Sequence, residues 1–576
     1  MELPSSSTVV DVERQEVDEK HLVNSTVRNI AWRGVTIAVK GRKGASRKNV
    51  VDNVEGIVEA GELCALMGPS GAGKTSLLNY LARRKITTSK VQGEVLVNGQ
   101  AVSDDELYEL SSFVQQEDAL ISTLTCFETV DFNARLSSKR RTKAERIHFV
   151  NKLLQSFGLD SVAESFVGPF FRGSMSGGQK RRLSVASQVA GEPKILFLDE
   201  PTSGLDSTGS QQVVQYLRDL AKASNLIIIC SIHQPSAAVF HKFDKLLLVS
   251  EAKTCYFGPP SDAVEYFQEA MGNHMPPDAN PAEFIIDIVS TAFSADESTS
   301  ASSLDAMHQA WSESERAKEL HSAVSATGIA DGGHMSVKNL SPSRPNFVNR
   351  IAILLHRSFI KTYRDFTVYI LRFALYLVLA IILGTAQPRL GRTQDSVQEL
   401  LSLAVCSTAF ASFIAVSYVP TLIEDLEHHV QEKRNGFCTS MQFSISNFLL
   451  SLPYHFLTSV SYSLVLHALI GLNSSAPGMC TWILWLFLCL VATDSVSLLM
   501  TALVPKTNAA VALVLLYETL LIIVGGYLVK PNTLTKFYKA SFRASFFVQP
   551  TIARLDANVF ISLRQQIHAK FRAPGF

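Results

Sequence analysis

The polarity pattern divides the chain in two. Over the first 345 residues, short apolar runs of strand length alternate with amphipathic stretches of helix length. Residues 30–40 alternate as a first strand. Residues 50–56, 63–67, 93–98, 195–198, 226–231 and 245–250 read as further strands, most of them apolar enough to be buried on both faces. Residues 41–48 are basic and carry Gly and Ser, as a loop does. Residues 142–157 place Ile147, Val150, Leu153 and Leu154 on one helical face. Strands alternating with helices predict an α/β domain built on a mainly parallel sheet.

From residue 368 the pattern changes. Five runs, at 368–385, 400–419, 456–472, 480–504 and 509–529, carry few charges. Each approaches the ~20 residues that a bilayer-crossing helix needs. One such run can be a core helix of a large globular protein, but five in succession predict an all-α membrane domain. Pro420 and Pro453 fall at span ends, where a broken backbone is tolerated. The resulting partition is a disordered tail over 1–26, an α/β domain over 27–291, a linker over 292–345 and the membrane domain over 346–576. The linker is rich in Ser, Ala, Asp, Glu and Gly, with at most one helix near 303–320.

Charge and cysteines then remove several classes. Lys and Arg total 53 against 52 Asp and Glu, a net charge of +1, so bulk charge points to no nucleic acid partner. Residues 1–20 have no apolar core, and no cleavable signal peptide is expected. The eight cysteines include no C-x-x-C pair, which argues against a metal site or a disulfide framework. His356, Arg357, Lys361, Arg364 and Arg372 cluster around the start of the first span and place it in the cytosol, with Arg372 snorkelling back to the interface. The loops 424–434 and 505–507 then share that side. The loop 471–479, with the sequon Asn473-Ser474-Ser475, faces out. Five spans leave the C-terminus outside, and Arg554, Arg564, Lys570 and Arg572 fit the positive-inside rule poorly there. The expectation is a multi-pass integral protein of the plasma membrane or an intracellular membrane, with its α/β domain in the cytosol.

The chemistry sits in the first half. Gly68-Pro69-Ser70-Gly71-Ala72-Gly73-Lys74-Thr75 fits G-x-x-x-x-G-K-[ST], between an apolar strand and a helix. Its glycines let consecutive backbone N–H groups curl around phosphates at a helix N-terminus. Lys74 would reach the β- and γ-phosphates of a nucleoside triphosphate, and the Thr75 hydroxyl would hold Mg²⁺. The strand at 195–198 ends in Asp199 and Glu200. Asp199 is expected to hold Mg²⁺ through water, and Glu200 to polarise the attacking water as general base. Ser176-Gly177-Gly178-Gln179, ahead of a helix, offers free N–H groups suited to a γ-phosphate.

At that position before the acidic strand, Ser176 to Gln179 resembles the signature of ATP-binding cassette (ABC) proteins. Within that resemblance Gln116 looks like the glutamine that senses Mg²⁺ and couples to the membrane domain. Asp206, in Ser203-Gly204-Leu205-Asp206, matches the D-loop. His233 matches the switch histidine at the γ-phosphate. Ile37 stands near the place of the family's adenine-stacking aromatic, and the nearby Trp32 reads as core packing, so adenine stacking is not expected. One cassette followed by one membrane domain resembles the G subfamily of half-transporters. Ser231-Ile232-His233-Gln234-Pro235, Cys255-Tyr256-Phe257-Gly258-Pro259-Pro260, Asn280-Pro281-Ala282-Glu283-Phe284 and Glu432-Lys433-Arg434-Asn435-Gly436-Phe437 agree with it.

The resemblance implies a homo- or heterodimer of half-transporters, with ATP between Lys74 of one subunit and Ser176 of the other. It implies ATP-driven export of lipids, sterols or xenobiotics. Phe413 resembles the aromatic that clamps flat hydrophobic substrates, with Phe410, Thr519 and Ile522 lining the same cavity and Tyr527 and Leu528 as an apolar plug. Asp494 and Glu518 fall inside spans, where buried acids usually face the bundle interior, as a polar relay, as partners for a substrate hydroxyl or as structural hydrogen bonds. The sequence departs from the family pattern after a re-entry-like stretch over 530–558: a sixth span and the cysteines of an exoplasmic loop are missing. An alternative expectation follows, a non-transporting regulatory partner that binds ATP and dimerises with a complete half-transporter. A soluble ATPase of translation or repair is excluded by the spans.

Overall fold

A computed structural model describes residues 24–524, except 40–46, 85–88, 117–119, 139–140, 169–174, 273, 291–296, 328–344, 387–393 and 471–475. The described residues form two compact units. The first runs to Ile353 and also takes in Gln431–Thr439; the second holds Leu354–Val430 and the chain from Ser440 onward.

The first unit opens with β1 (Asn29–Val39), β2 (Lys48–Glu59) and β3 (Leu63–Met67), then α1 (Lys74–Leu81), β4 (Ser89–Val97), β5 (Gln100–Ala101), α2 (Asp104–Leu110) and β6 (Ser111–Val114). It continues with α3 (Cys126–Ser137), α4 (Lys143–Ser156), α5 (Gly177–Val189), β7 (Ile195–Leu198), α6 (Ser207–Ser224), β8 (Ile227–Ser231), α7 (Ala237–Phe240), β9 (Lys245–Ser250) and β10 (Lys253–Gly258). It closes with α8 (Pro260–Met271), α9 (Pro281–Val289), α10 (Glu297–Glu313) and α11 (Glu315–Thr327). Two sheets result. One has the order β10-β9-β3-β8-β7-β6, parallel except for β10. The other, β2-β1-β4-β5, is antiparallel throughout. The parallel sheet is the expected one. The antiparallel sheet departs from it, because β1 and β2 alternate buried and exposed positions as strands with one wet face do.

The helices of the first unit carry their own start signals. Thr125, Thr142 and Ser176 each head a reciprocal capping box with Glu128, Glu145 and Gln179. The expected linker is corrected in part. α10 and α11 bury Met307, Trp311, Leu320 and Val324 in the core of this unit. Four apolar residues at helical spacing anchor two helices in a stretch whose composition otherwise reads as loop. Trp32 and Ile37 are both fully buried, and Trp32 meets Phe257 edge-on at 6.4 Å. Neither presents a ring or side chain to an adenine.

The second unit holds α12 (Phe347–Arg364, from Leu354), α13 (Thr367–Ala386), α14 (Gln394–Ala415), α15 (Val419–Arg434, to Val430), α16 (Ser440–Ile470), α17 (Ala476–Leu503) and α18 (Thr507–Val524). Four stretches are long and apolar enough to cross a membrane: Thr367–Ala386, Ser402–Arg434, Ser440–Ile470 and Ala476–Leu503. The fifth, α18, is a shorter apolar helix over its described residues. Pro453 lies inside α16 rather than at a span end, whereas Pro420 stands in the first turn of α15, after α14 ends at Ala415 and a 3-10 turn covers Val416–Tyr418. Pro453 does not terminate α16, because the other backbone bonds of that long apolar helix remain internal to it, and Pro420 falls at a helix start, where its missing N–H is tolerated. Asn473, Tyr527, Leu528 and 530–558 lie outside the described residues.

Candidate functional site

β3 delivers Gly68–Thr75 to the end of the parallel sheet, and α1 starts inside the motif. Gly68 has φ 147° and Gly73 φ 97°. A Cβ on Gly68 would stand 2.0 Å from the Val249 carbonyl oxygen, and one on Gly73 2.1 Å from that of Val50. The loop therefore requires glycine at both positions. Lys74 is buried, and its ammonium donates to the carbonyls of Gly68 (2.7 Å) and Pro69 (2.9 Å). Burial pulls it below the usual lysine range, opposed by the carboxylates of Glu200 and Asp199.

β7 brings the acids to the same edge. Thr75 Oγ1 donates to Asp199 Oδ1 at 3.3 Å, and Ser231 Oγ donates to the same oxygen at 2.6 Å. Glu200 has φ 46°, a conformation held by its backbone N–H donating to Ser231 Oγ at 2.8 Å. That twist aims the carboxylate at Gln116, whose Nε2 donates to Glu200 Oε2 at 2.7 Å. From the end of β8, the exposed His233 reaches Ser70 of the phosphate loop, Nε2 to Oγ 3.0 Å. The structure thus joins Gly68–Thr75, Gln116, Asp199, Glu200 and His233 in one site.

Ser176, Gly177, Gly178 and Gln179 are positioned differently. Ser176 Oγ accepts from the Gln179 N–H at 3.3 Å, and Gln179 Oε1 accepts from the Ser176 N–H at 2.8 Å. Ser176 and Gly177 are exposed, and a Cβ on Gly177 would meet nothing. The start of α5 is thus an open helix N-terminus. Asp206 is also exposed and caps α6 through Gly209 N–H at 3.2 Å. Sequence reasoning passed over Arg181, one turn into α5. Its guanidinium donates to the carbonyls of Gln115 (2.5 Å), Asp199 (2.8 Å) and Glu200 (3.2 Å). It ties the signature helix to the backbones that present Gln116 and Glu200. The only sequence sign was an arginine on the inward face of α5.

Thr75 and Asp199 offer hard oxygen donors beside a phosphate loop, the set that Mg²⁺ takes when it keeps several waters and substrate phosphates. These residues fit the ion, and Gln116 adds an amide oxygen within the same cluster.

Asn435, which the sequence marked only as part of a family-like stretch, lies in the segment that packs with the first unit. Its side chain is buried. It accepts from Arg84 Nη2 and from Phe113 N–H (3.2 Å), and it donates to Phe113 O (3.1 Å) and Gln188 Oε1 (2.6 Å). β6 is an edge strand, and the amide completes its free side at Phe113, three residues before Gln116.

In the second unit Asp494 accepts from Arg372 Nη2 at 3.1 Å and meets His455 Nε2 at 2.8 Å. Arg372 is buried and does not snorkel, because this carboxylate and the rings of Tyr418 and Tyr454, 5.2 and 5.4 Å away, hold it inside the bundle. Glu518 is also buried. Phe410 and Thr519 are exposed, and Phe413 and Ile522 half-buried, on the contacting helices α14 and α18.

The family described as ABC transporter matches residues 51–203, and ABC-2 type transporter families match 349–553 and 233–318. ABC transporter G family member 1 of Petunia hybrida is 32% identical over 518 residues, 88% of this chain and 80% of its own length. ABC transporter G family member 7 of Arabidopsis thaliana is 31% identical over 90% of this chain and 72% of its own length. ABC transporter ATP-binding protein/permease wht-1 of Caenorhabditis elegans is 28% identical over 87% of this chain and 76% of its own length.

Proposed function

The chain belongs to the G family of ABC transporters, and from that premise we propose that it exports hydrophobic compounds (lipids, sterols or xenobiotics) as a dimer of half-transporters. ATP hydrolysis drives transport across the membrane that its helices cross. The observation that carries the reading is the joined cluster of Thr75 with Asp199, Gln116 with Glu200 and Ser70 with His233, on one chain with the apolar helices.

In this reading Lys74 exchanges its bonds to Gly68 and Pro69 for the β- and γ-phosphates. Thr75, Asp199 and Gln116 would hold Mg²⁺, which when bound would neutralise phosphate charge. Glu200, released from Gln116, polarises water, and His233 leaves Ser70 for the γ-phosphate. Ser176 and Gly177, open at the start of α5, complete the site of a second subunit, and Asp206 lies beside that junction. Arg181 passes any movement of α5 to Gln116 and Glu200. The segment around Asn435 passes it along α15 to the spans. The nucleotide-binding unit lies in the cytosol, where ATP is. Phe413, Phe410, Thr519 and Ile522 face the substrate path between subunits.

The test is ATP-dependent, vanadate-sensitive uptake of a hydrophobic dye and of fluorescent sterol or phospholipid by inside-out vesicles holding the purified protein. Uptake of at least one probe, lowered by Phe413→Ala with ATPase retained, is expected. Hydrolysis without movement of any probe would overturn the export reading.

A further inference from the structure

A cleft in the second unit lies away from the exposed faces of α14 and α18. Lys361, Asp365 and Asp425 line one end of it, and Arg372, Tyr454 and Asp494 the other. Tyr369, Tyr418 and Asn447 are common to both halves. Arg372 is five residues into α13, roughly 7–8 Å below its start. One headgroup layer of a bilayer is of similar depth, roughly 5–7 Å.

The polar groups of the cleft are incompletely matched. Asn447 Nδ2 and Arg372 Nε are buried and have no acceptor among the described residues. The nearby acids are already engaged, Asp425 with Lys361 and Asp494 with Arg372 Nη2 and His455. Two buried donors therefore call for oxygen acceptors from outside the protein. The charges point the same way. Lys361 and Arg372 stand against Asp365, Asp425 and Asp494, two positive groups against three negative, and the exposed Asp365 is not ion-paired among the described residues. The excess acid lies at the end nearest the start of α13.

The mouth is apolar. Phe448, 45% exposed, lines the cleft together with Leu422, Leu450 and Leu498. The walls are braced. Tyr369 Oη meets Tyr418 Oη at 3.2 Å, and Tyr454 Oη donates to the Tyr369 carbonyl at 3.3 Å. From the water side inward the cleft presents acid, then hydrogen-bond donors, beside an apolar flank. An amine, a phosphodiester with its ester oxygens, and acyl chains follow one another in that order in a zwitterionic glycerophospholipid.

We propose that this cleft is a binding site for the headgroup of an amine-bearing, zwitterionic glycerophospholipid. Asp365 and Asp425 face the amine, and Asn447 and Arg372 donate to the phosphate and ester oxygens. The bound lipid braces the junction of α12, α13 and α16. The site is separate from the proposed substrate path, and only the naming of its leaflet as cytosolic rests on the export reading.

The test uses the full chain, purified in detergent, stripped of lipid and titrated with phosphatidylethanolamine, phosphatidylcholine or phosphatidylglycerol, with bound lipid counted by native mass spectrometry. The first two are expected to bind at least about fivefold more tightly than phosphatidylglycerol. Asn447→Leu lowers their affinity about tenfold, the loss of one hydrogen bond to a charged group. Asp365→Asn, an exposed change that leaves folding intact, weakens the amine lipids about threefold and spares phosphatidylglycerol. Soluble glycerophosphoethanolamine does not displace them, because the acyl chains on the apolar flank contribute to binding. Equal binding of phosphatidylglycerol, wild-type affinity in both variants, or displacement by the soluble head would each overturn the proposal. Should Asn447→Leu not fold, Asp365→Asn decides alone. Absence of dye transport would refute the export reading and leave the lipid count unchanged.

Discussion

Replacing Asn435 with alanine removes four hydrogen bonds from a site with little access to water. Asn435 is 4% exposed, and its partners Arg84, Phe113 and Gln188 are 8%, 5% and 6% exposed. The alanine leaves the N–H and carbonyl of Phe113, the Gln188 amide oxygen and one Arg84 nitrogen without that partner. A buried polar group left unpaired costs about 1–3 kcal/mol. Four groups at the low end, with some relaxation of Gln188, put the loss near 3–5 kcal/mol. Asn435→Asp keeps both acceptor bonds, gains charge opposite Arg84 and loses the two donated bonds, so its cost is smaller, about 1–2 kcal/mol. Hydrogen–deuterium exchange of the full chain reads the effect locally. Amides of 431–439 and the Phe113 amide are expected to exchange roughly 10²- to 10³·⁵-fold faster in Asn435→Ala, at about 1.4 kcal/mol per tenfold, and about tenfold faster in the aspartate variant. Exchange at Phe113 within threefold of wild type in Asn435→Ala would refute the view that this amide closes the edge of β6.

Three further outcomes follow from the geometry. Glu200→Gln should bind ATP with wild-type affinity and lose about 10²–10⁴ in hydrolysis, read by labelled-ATP binding beside phosphate release; unimpaired hydrolysis would remove Glu200 as the base. Gly73→Ala forces a side chain to φ 97° and onto the Val50 carbonyl. It should abolish ATP binding and lower the stability of the first unit by about 1–3 kcal/mol or more, measured by thermal unfolding. Asp494→Ala leaves Arg372 buried and uncompensated. It should destabilise the second unit by about 3–5 kcal/mol, and the double change Asp494→Leu with Arg372→Met should recover most of that in thermal melts; a double variant no better than the single one would mean that the pair is not what stabilises this part of the bundle.

Local chemistry made the nucleotide site legible in one dimension. A phosphate loop needs its glycines and Lys74 in consecutive positions, since backbone N–H groups must curl over a few residues, and the acids must end a buried strand. Apolar length likewise marked the spans, because a bilayer imposes a minimum run. The antiparallel sheet was harder to see, since β1 and β2 alternate without naming their partners. α10 and α11 were legible only as one possible helix near 303–320, as four inward-facing residues are diluted among polar ones.

Tertiary structure alone decided which distant residues meet. Gln116 and Glu200 are 84 positions apart, Ser70 and His233 163, and Asn435 and Phe113 322. No local pattern records such separations, because hydrogen bonds between remote side chains depend on strand order and register and leave no period in the chain. The same holds for Arg372. Its place one turn into a span read as a residue reaching for water, and only the packing of α13 on α16 and of α16 on α17 supplied the buried carboxylate that keeps it inside. Sequence by itself thus determined the machine's parts and their order, a nucleotide-binding unit followed by membrane-crossing helices. The fold decided which side chains act on one another, since that is a matter of distance in space.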